Sequence, residues 1–236
     1  MKGRTTVTAG ELTGLQVEAL RYRRGERVLL DGVDLAVGPG ESVAVTGPSG
    51  CGKSTLLRCV LGLDGPDNGT VRVDGRQLTG VRAGELAQLR VQRMGVVAQF
   101  DELLPELTPV ENVALPVLLT GGDHRAAYRR AAELLSEVGA PGEGTPTRAL
   151  SEGARQRVAV ARALIGGPDI VLADEPTGAL DPEAREDVAD LLFAVARERG
   201  CALLVATHDL TVAARADRTL RLRAGKLTDV AEGVAA

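Results

Sequence analysis

Gly47-Pro48-Ser49-Gly50-Cys51-Gly52-Lys53-Ser54 decides the fold of this chain. The spacing Gly-x4-Gly-Lys-Ser follows an apolar run at 42–46 and precedes a helical pattern from Lys53 to Gly62. A strand, a glycine-rich loop and a helix in this order are typical of a phosphate-binding loop. The glycines let successive backbone N–H groups point at one anion, and the positive end of the helix adds to the attraction. An incidental glycine turn is the alternative, and the flanking strand and helix argue against it.

Several side chains of this phosphate-binding loop suit a bound polyphosphate. Lys53 would reach the β- and γ-phosphates of a nucleotide, and Ser54 would offer its hydroxyl to Mg²⁺. Thr55 supplies the next hydroxyl of the same helical turn. The candidate nucleotide ligands in this stretch are Gly47, Pro48, Ser49, Gly50, Cys51, Gly52, Lys53, Ser54 and Thr55.

The composition restricts the class of protein. A chain of 236 residues suffices for one large domain. The net charge of -4, with two Tyr, two Phe and no Trp, predicts that nucleic acid is not a partner. The cysteines Cys51, Cys59 and Cys201 are widely spaced, which favours free thiols in a reducing cytosol. The N-terminus lacks an apolar leader and no apolar run approaches a membrane span, so we expect a soluble chain.

Hydrophobic patterning predicts an α/β fold with a P-loop NTPase core, in which helices flank a mostly parallel sheet. An antiparallel β lead-in covers Leu15 to Val37, with Val28–Leu30 and Val33–Val37 as separate short strands. From Gln99 to about Gly167 strand signals disappear and helical spacing remains. The predicted organisation is one domain over 1–236, comprising a core at 15–98 and 168–228, a helical subdomain at 99–167 and a loose tail at 229–236.

Acidic and imidazole side chains follow two predicted core strands. Asp174 and Glu175 end one apolar run, and His208 ends the next. Because ligands bind at strand carboxyl ends in parallel sheets, these residues and the phosphate-binding loop can face one nucleotide. Asp174 would hold Mg²⁺, Glu175 would orient and deprotonate the attacking water, and His208 would reach the γ-phosphate. Without the loop, strand-ending carboxylates and a structural histidine would be the preferred interpretation.

Tyr22 is a candidate for contacting the base of the nucleotide. It lies 25 residues before Gly47, far enough for the chain to return beside the loop. An exposed aromatic ring there would stack on adenine, and half-buried packing is the equally consistent alternative.

A second motif, Leu150-Ser151-Glu152-Gly153-Ala154-Arg155-Gln156-Arg157, opens the last helical segment before the core resumes. Together with the phosphate-binding loop, Gln99, the run from Asp174 to Asp181 and His208, it resembles the ATPase subunit of ATP-binding cassette (ABC) transporters. The resemblance covers roughly Leu15 to Thr228, and these ordered motifs at compatible spacing make coincidence negligible.

The resemblance implies a head-to-tail pair of domains with two ATP molecules between them. Ser151 and Gly153 of one copy would contact the γ-phosphate held by Lys53 of the other. Backbone N–H groups at a helix start make physical sense of that contact with an anion. Asp181 would contact the second copy.

The family also implies functions for residues that spacing alone leaves open. Tyr22 becomes the adenine-stacking residue. Gln99 becomes the residue that senses Mg²⁺ and water and is coupled to the membrane subunit. The implied catalytic residues are Glu175, His208, Lys53 and Gln99, and the implied metal ligands are Ser54, Gln99 and Asp174.

The chain departs from the family pattern at three positions. Glu152 replaces the usual glycine, Ala154 replaces the usual glutamine, and Ala98 replaces the usual aromatic residue before Gln99. A carboxylate near a triphosphate repels it unless the side chain turns outward. We therefore predict that two copies close on ATP somewhat less tightly. The replacement at Ala98 leaves the surface that couples to the membrane subunit unassigned.

The segment after Gln99 resembles the lipoprotein-releasing and macrolide-exporting branch, in which the permease has few transmembrane helices and a large extracytoplasmic domain. The resemblance predicts an ATPase that uses ATP and Mg²⁺, pairs with a second copy and binds such a permease at the cytoplasmic face of a bacterial membrane. The alternatives are an amino-acid importer subunit, a soluble cassette ATPase of DNA repair or translation, and an ATP-sensing module without turnover. The segments that carry this resemblance are Gln99-Phe100, Leu103-Leu104-Pro105, Leu107-Thr108, Glu111-Asn112-Val113, Leu115-Pro116 and Glu175-Pro176-Thr177-Gly178.

Overall fold

The computed structural model describes residues 14–98, 103–142 and 144–230. Strands and helices alternate along most of this part of the chain. The strands are β1 (Leu15–Arg24), β2 (Arg27–Val37), β3 (Ser42–Thr46), β4 (Asn68–Val73), β5 (Arg76–Gln77), β6 (Met94–Ala98), β7 (Ile170–Asp174), β8 (Ala202–Ala206), β9 (Arg218–Arg223) and β10 (Lys226–Asp229). The helices are α1 (Lys53–Val60), α2 (Ala83–Arg93), α3 (Pro109–Leu119), α4 (His124–Glu137), α5 (Glu152–Leu164), α6 (Pro182–Arg199) and α7 (Leu210–Ala213), with a 3-10 turn at Thr147–Ala149.

A six-stranded sheet forms the centre of the fold. Its order is β10-β9-β3-β8-β7-β6, and all pairs from β9 to β6 are parallel. Successive residues of β8 enter opposite cores: Leu204 packs with α1 and the antiparallel sheet, whereas Leu203 packs with α5 and α6. Both faces of the sheet are therefore covered, which explains why its strands are continuous apolar runs.

The antiparallel β lead-in forms a second sheet in the order β2-β1-β4-β5. Leu15, Val17 and Leu20 of β1 are buried in the core that this sheet shares with one face of the parallel sheet. Asp74 and Gly75 turn β4 into β5 with φ angles of 48° and 71°. Both angles are positive, as expected for the turn that an Asp-Gly pair favours in a hairpin.

Helices alone occupy the segment between β6 and β7, as far as it is described. Helix α3 begins with a capping box, in which Thr108 and Glu111 satisfy each other's backbone N–H groups. Asn112 is fully buried, and its amide donates to the Leu104 carbonyl and to the Thr147 hydroxyl, each at 2.9 Å. These bonds tie the start of α3 to the 3-10 turn that precedes α5.

Two strand predictions differ from the structure. The segments predicted as two strands around Gly32 form the single strand β2, because Gly32 has a φ of 69° and the register with β1 shifts there without ending the pairing. The chain also continues past the turn at Gly225 into β10, where Asp229 pairs with Leu220. The predicted loose tail therefore begins too early. Strand β10 is a short edge strand with one apolar residue, so its sequence gives no alternating pattern.

None of the described helices combines the length and the apolar character needed to cross a membrane.

Candidate functional site

The carboxyl ends of the central strands lie level with one another. Val45 pairs with Ala206, Ala206 with Asp174, and Asp174 with Ala98. Since these strands are parallel, the segments that follow them leave from the same edge of the sheet. This register brings the phosphate-binding loop after β3, Glu175 after β7 and His208 after β8 together. Gln99, which follows Ala98 in sequence, lies outside the described residues.

The glycines of the phosphate-binding loop are required by its close packing. A Cβ atom on Gly47 would lie 2.5 Å from the Leu222 carbonyl oxygen, which no side chain tolerates. Gly52 has a φ of 115°, and a Cβ there would lie 3.0 Å from the Leu29 carbonyl oxygen. The loop is therefore wedged between β2 and β9 in a shape that only glycine allows at these two positions.

The loop leads into helix α1, whose start has no side-chain cap. Gly52 is the N-cap of α1 and provides no side-chain hydrogen bond, and the first turn contains no acidic residue. The first N–H groups of the helix consequently keep their hydrogen-bonding capacity for a ligand. An anion is the ligand that such a helix start attracts.

A cavity of about 780 Å³ opens over the loop and the strand ends. Glu175 and His208 border it from the neighbouring strands, and Arg24 and Arg27 border it from the β1–β2 hairpin. The predicted ligands that line the cavity are Pro48, Ser49, Gly50, Gly52, Lys53, Ser54 and Thr55. Gly47 and Cys51 are not among the lining residues. Gly47 instead accepts a bond from Lys53, and Cys51 is a half-buried free thiol packed against the core.

Lys53, Glu175 and His208 form a continuous chain of polar contacts. The Lys53 Nζ donates to the Gly47 carbonyl at 2.9 Å and lies 3.3 Å from Oε1 of Glu175. Oε2 of Glu175 lies 2.9 Å from Nδ1 of His208. The side chains of Lys53 and Glu175 are only 7% and 14% exposed, whereas that of His208 is 66% exposed. An ion pair that is shielded from solvent is thus connected to an imidazole ring that is exposed to solvent.

Glu175 is held as a carboxylate. Burial alone would raise its pKa, but hydrogen bonds from the His208 ring and backbone, the Lys53 charge and the Thr207 hydroxyl together lower it. Its backbone is also constrained, with a φ of 46° in a non-glycine residue. Such strain is stored at positions that the surrounding structure fixes, and here it aims the side chain along the sheet edge.

Asp174 has the environment of a metal ligand. Its Oδ1 is buried without a hydrogen-bond partner among the described residues. Burial raises the pKa of Asp174, and the Ser54 hydroxyl and the Lys53 charge offset only part of that rise. A buried carboxylate oxygen without a partner beside a hydroxyl fits Mg²⁺, which takes few protein oxygens and completes its shell with water and phosphates. Ser54 and Asp174 therefore suit the metal position that the sequence predicts.

Tyr22 does not border the cavity. It lies on β1, is half-buried and packs against the core shared by the two sheets. The structure therefore shows the packing that the sequence left as one of two interpretations, and the adenine-stacking assignment stays a prediction.

Ser151, Gly153 and Asp181 come together at a different place on the surface. They border a depression of about 290 Å³ that shares no lining residue with the cavity over the loop. Ser151 caps α5 by accepting from the Ala154 N–H at 3.3 Å, and Asp181 caps α6. A Cβ on Gly153 would lie 3.2 Å from Ala184, so a side chain there would crowd the start of α6.

Glu152 is not among the residues that border this depression. Its side chain is 59% exposed and lies 4.0 Å from Arg155 on the same helix. Solvent screens an exposed carboxylate, so its repulsion of a triphosphate would be weak.

Sequence reasoning missed two residues of the site. Thr207 is buried, and its hydroxyl donates to Oε2 of Glu175 at 3.1 Å. Its position directly before His208 at a strand end was the available signal. Arg27 donates to the Gly50 carbonyl at 3.1 Å. Nothing in its spacing to the loop indicates this contact, which depends on the β1–β2 hairpin folding over the loop.

Comparison with known proteins adds to this geometry. The family described as "ABC transporter" matches residues 30–178, more than half of the chain. The chain belongs to the ABC transporter family. The resemblance drawn from the motifs is thereby confirmed, and so is the assignment of this ABC protein as an ATP-binding subunit with ATPase activity.

Relatives of this ABC ATPase include lipoprotein-releasing system ATP-binding proteins named LolD. The protein from Cereibacter sphaeroides is 46% identical over 217 residues, which are 92% of this chain and 97% of the relative. The protein from Ruegeria pomeroyi is 48% identical over 220 residues, 92% of this chain and 96% of the relative.

Solved structures confirm the fold of this ABC ATPase. The dimeric structure of MJ0796, a bacterial ABC transporter cassette, matches with a TM-score of 0.80 and 36% identity, over 90% of this chain and 96% of that one. A dimeric post-hydrolysis state of the same cassette, bound to ADP and Pi, matches with a TM-score of 0.80 and 35% identity over the same shares. The predicted α/β class with a P-loop NTPase core is therefore correct.

Proposed function

We propose that the chain hydrolyses ATP through Glu175 to power a lipoprotein-releasing or related exporter. The observation that supports this most is the contact chain from Lys53 through Glu175 to His208 beside the cavity over the phosphate-binding loop. It places a cation for phosphates, a carboxylate base and an imidazole along one sheet edge. Phosphoryl transfer needs this combination of charge neutralisation and in-line positioning.

Each part of the proposed reaction is assigned to residues of this chain. The loop N–H groups and Lys53 bind the phosphates, which draws the Lys53 ammonium toward the nucleotide. Glu175, kept ionised, accepts a proton from the attacking water. His208 and Thr207 orient that carboxylate by their bonds to Oε2. His208 then has an exposed ring that can reach the γ-phosphate.

Asp174 and Ser54 would hold Mg²⁺, with Gln99 as a further ligand from outside the described residues. When bound, the ion supplies neutralisation of the phosphate charges. No group of three or more His, Cys, Asp or Glu side chains in the described residues could bind a metal by itself. This agrees with an ion that reaches the site together with the nucleotide.

We further propose that two copies complete each site. Ser151, Gly153 and Asp181 lie apart from the loop within one copy, in a depression of their own. Ser151 and Asp181 cap the starts of α5 and α6, and none of the three borders the cavity that would bind ATP. A second copy that presents this depression to the loop gives them a function, and both matched cassette structures are described as dimeric.

The membrane partner and the domain division are also proposals. The relatives' name supports a lipoprotein-releasing system. The partner would be a permease of few helices with a large extracytoplasmic domain, as the motif resemblance implies. The chain would bind it peripherally at the cytoplasmic face. Within a single domain, residues 99–167 would form the helical subdomain that contacts the permease, and 15–98 with 168–228 the ATP-binding core. Co-purification with such a permease, rather than with an importer's, would support this branch.

Phosphate release tests the hydrolytic mechanism. We expect Glu175→Gln to bind Mg·ATP but to release phosphate at least roughly 100-fold more slowly, because it removes the base and keeps the shape. Lys53→Ala should lose binding as well as turnover. Glu133→Gln, an exposed glutamate on α4, is the matched control and should behave like the parent. Equal phosphate release from Glu175→Gln and the parent would show that Glu175 is not the base and would contradict the mechanism.

A further inference from the structure

The hairpin between β1 and β2 carries two arginines toward the nucleotide cavity. Arg24 and Arg27 are register partners at the closed end of the hairpin, and both border the cavity over the phosphate-binding loop. Directly opposed residues of an antiparallel pair have their side chains on the same face. Two positive charges therefore lie side by side above the loop.

Neither charge is neutralised by an ion pair within the described part of the chain. Arg27 donates to the Gly50 carbonyl, a neutral acceptor. Asp64, on which the Arg24 charge acts, has both carboxylate oxygens bonded by Arg58, at 2.9 and 2.8 Å. Hydrogen bonding by Arg58 lowers the pKa of Asp64, to which Arg24 adds only a weaker effect of its charge.

This arrangement is unfavourable for the hairpin alone. Like charges directly opposite each other destabilise a strand pair, and no carboxylate of the described residues forms an ion pair with either arginine. A polyanion in the cavity would reverse the sign of that interaction. The cavity already has an anion site on its other side, formed by the start of α1 and Lys53.

We propose that Arg24 and Arg27 bind the polyphosphate of the nucleotide and set the affinity for it. This inference rests on the ATP site proposed above. The loop would hold one side of the phosphates and the hairpin the other, with Arg27 exchanging the Gly50 carbonyl for a phosphate oxygen. The guanidinium group suits this exchange because its planar set of donors matches phosphate oxygens.

The contribution of the two arginines to binding would not depend on the base. None of the described residues that border the cavity has a side-chain amide, and the arginines' acceptors would be phosphates. Triphosphates with different bases, and inorganic tripolyphosphate, should therefore depend on the two arginines to the same extent.

Equilibrium binding to the full chain tests the proposal. Arg24→Gln combined with Arg27→Gln, in the Glu175→Gln background to prevent turnover, should raise the Kd for ATP, GTP and tripolyphosphate by a similar factor of roughly tenfold or more. Arg23→Gln is the matched control. Arg23 is the neighbouring hairpin arginine, is paired with Asp67 at 3.4 Å and does not border the cavity, so its Kd values should stay within about twofold of the parent's.

Thermal unfolding of the nucleotide-free protein separates binding from folding. Removing two like charges should leave the midpoint of the double variant unchanged or higher, whereas a purely structural function of the arginines would lower it. A lowered midpoint would overturn the proposal.

The remaining outcomes are equally distinct. Equal losses in the double variant and Arg23→Gln would show a general effect of charge, and a loss for ATP alone would show a base contact; either overturns the proposal. If Lys53→Ala loses ATP binding while the double variant keeps it, this inference fails and the ATP site stands. If Lys53→Ala keeps ATP binding, the proposed site itself is wrong.

Discussion

At the scale of single residues, Glu175 and the adjacent Asp174 are given opposite properties by their surroundings. Three partners stabilise the charge of Glu175, whereas Asp174 has a buried oxygen without one. The first therefore suits a base that must be ionised, and the second suits a ligand for a cation. The identity of both residues could be predicted from their position after an apolar strand. The contrast between their environments could not be predicted. It depends on Thr207 and His208, which follow β8 and lie 32 and 33 residues after Glu175.

His208→Ala should change how turnover depends on pH. The lowered pKa of Glu175 keeps the base ionised, so turnover is lost only as pH falls through that lowered value. Removing the imidazole removes the hydrogen bond that lowers the pKa most, so the pKa rises. We expect the acidic limb of the pH profile of phosphate release to move to higher pH. This shift is separate from any fall in the maximal rate. An acidic limb at the parent's pH would show that the ring does not set the charge of Glu175.

Asp174→Asn should stabilise the metal-free protein. The raised pKa of Asp174 means that the folded state binds its proton more tightly, so ionisation opposes folding once pH exceeds the raised value. Removing this charge should raise the unfolding midpoint near neutral pH by roughly 2–4 °C, as for about 1 kcal/mol. The gain should disappear as pH falls and the parent's carboxyl becomes protonated. Asp209→Asn is the control of opposite sign, because hydrogen bonds from Thr211 lower the pKa of Asp209.

At the scale of elements, most helices and strands were predictable because each carries its own pattern. Helices α3 and α6 begin with proline after a capping Thr or Asp, and the sequence pattern predicts helices over their observed bounds, Pro109–Leu119 and Pro182–Arg199. Strand β10 was missed because only its pairing with β9 makes it a strand. The Arg27–Gly50 contact was missed for a similar reason, since two elements meet there that share no sequence signal.

Helix α5 allows a test of the unusual Glu152. Glu152→Gln should lower the unfolding free energy by about 0.5 kcal/mol, because a first-turn carboxylate favours the helix dipole. It should also strengthen ATP-driven dimerisation by about two- to fivefold, the range expected for an exposed charge. Sedimentation of the Glu175→Gln background with ATP measures this. Unchanged dimerisation would mean that the outward-turned carboxylate never meets the partner's triphosphate.

At the scale of the whole molecule, the level strand ends explain how motifs far apart in sequence come together in the described residues. Parallel pairing brings the loop, Asp174, Glu175 and His208 to one edge, whereas Ser151, Gly153 and Asp181 collect between the starts of α5 and α6. The sequence alone could predict Lys53, Glu175 and His208, but not Thr207 or Arg27. It could not give the distances between them, because those follow from register and packing.

A mixture of two inactive variants tests the composite site. One copy carries Lys53→Ala and the other Ser151→Ala. If Ser151 acts on the partner's nucleotide, a mixed dimer has one wholly defective site and one intact site, so random mixing should restore roughly a quarter of the parent's sites. Phosphate release by the mixture, compared with each variant alone, gives the result. No restoration would mean that Ser151 serves its own copy.

If Glu175 is the base, its contact with Lys53 would link substrate binding to catalysis. The ammonium and the carboxylate neutralise each other, and both side chains are largely buried. A bound triphosphate would compete for the lysine and so free the carboxylate to accept a proton from water. On this proposal, the substrate itself would activate the residue that cleaves it.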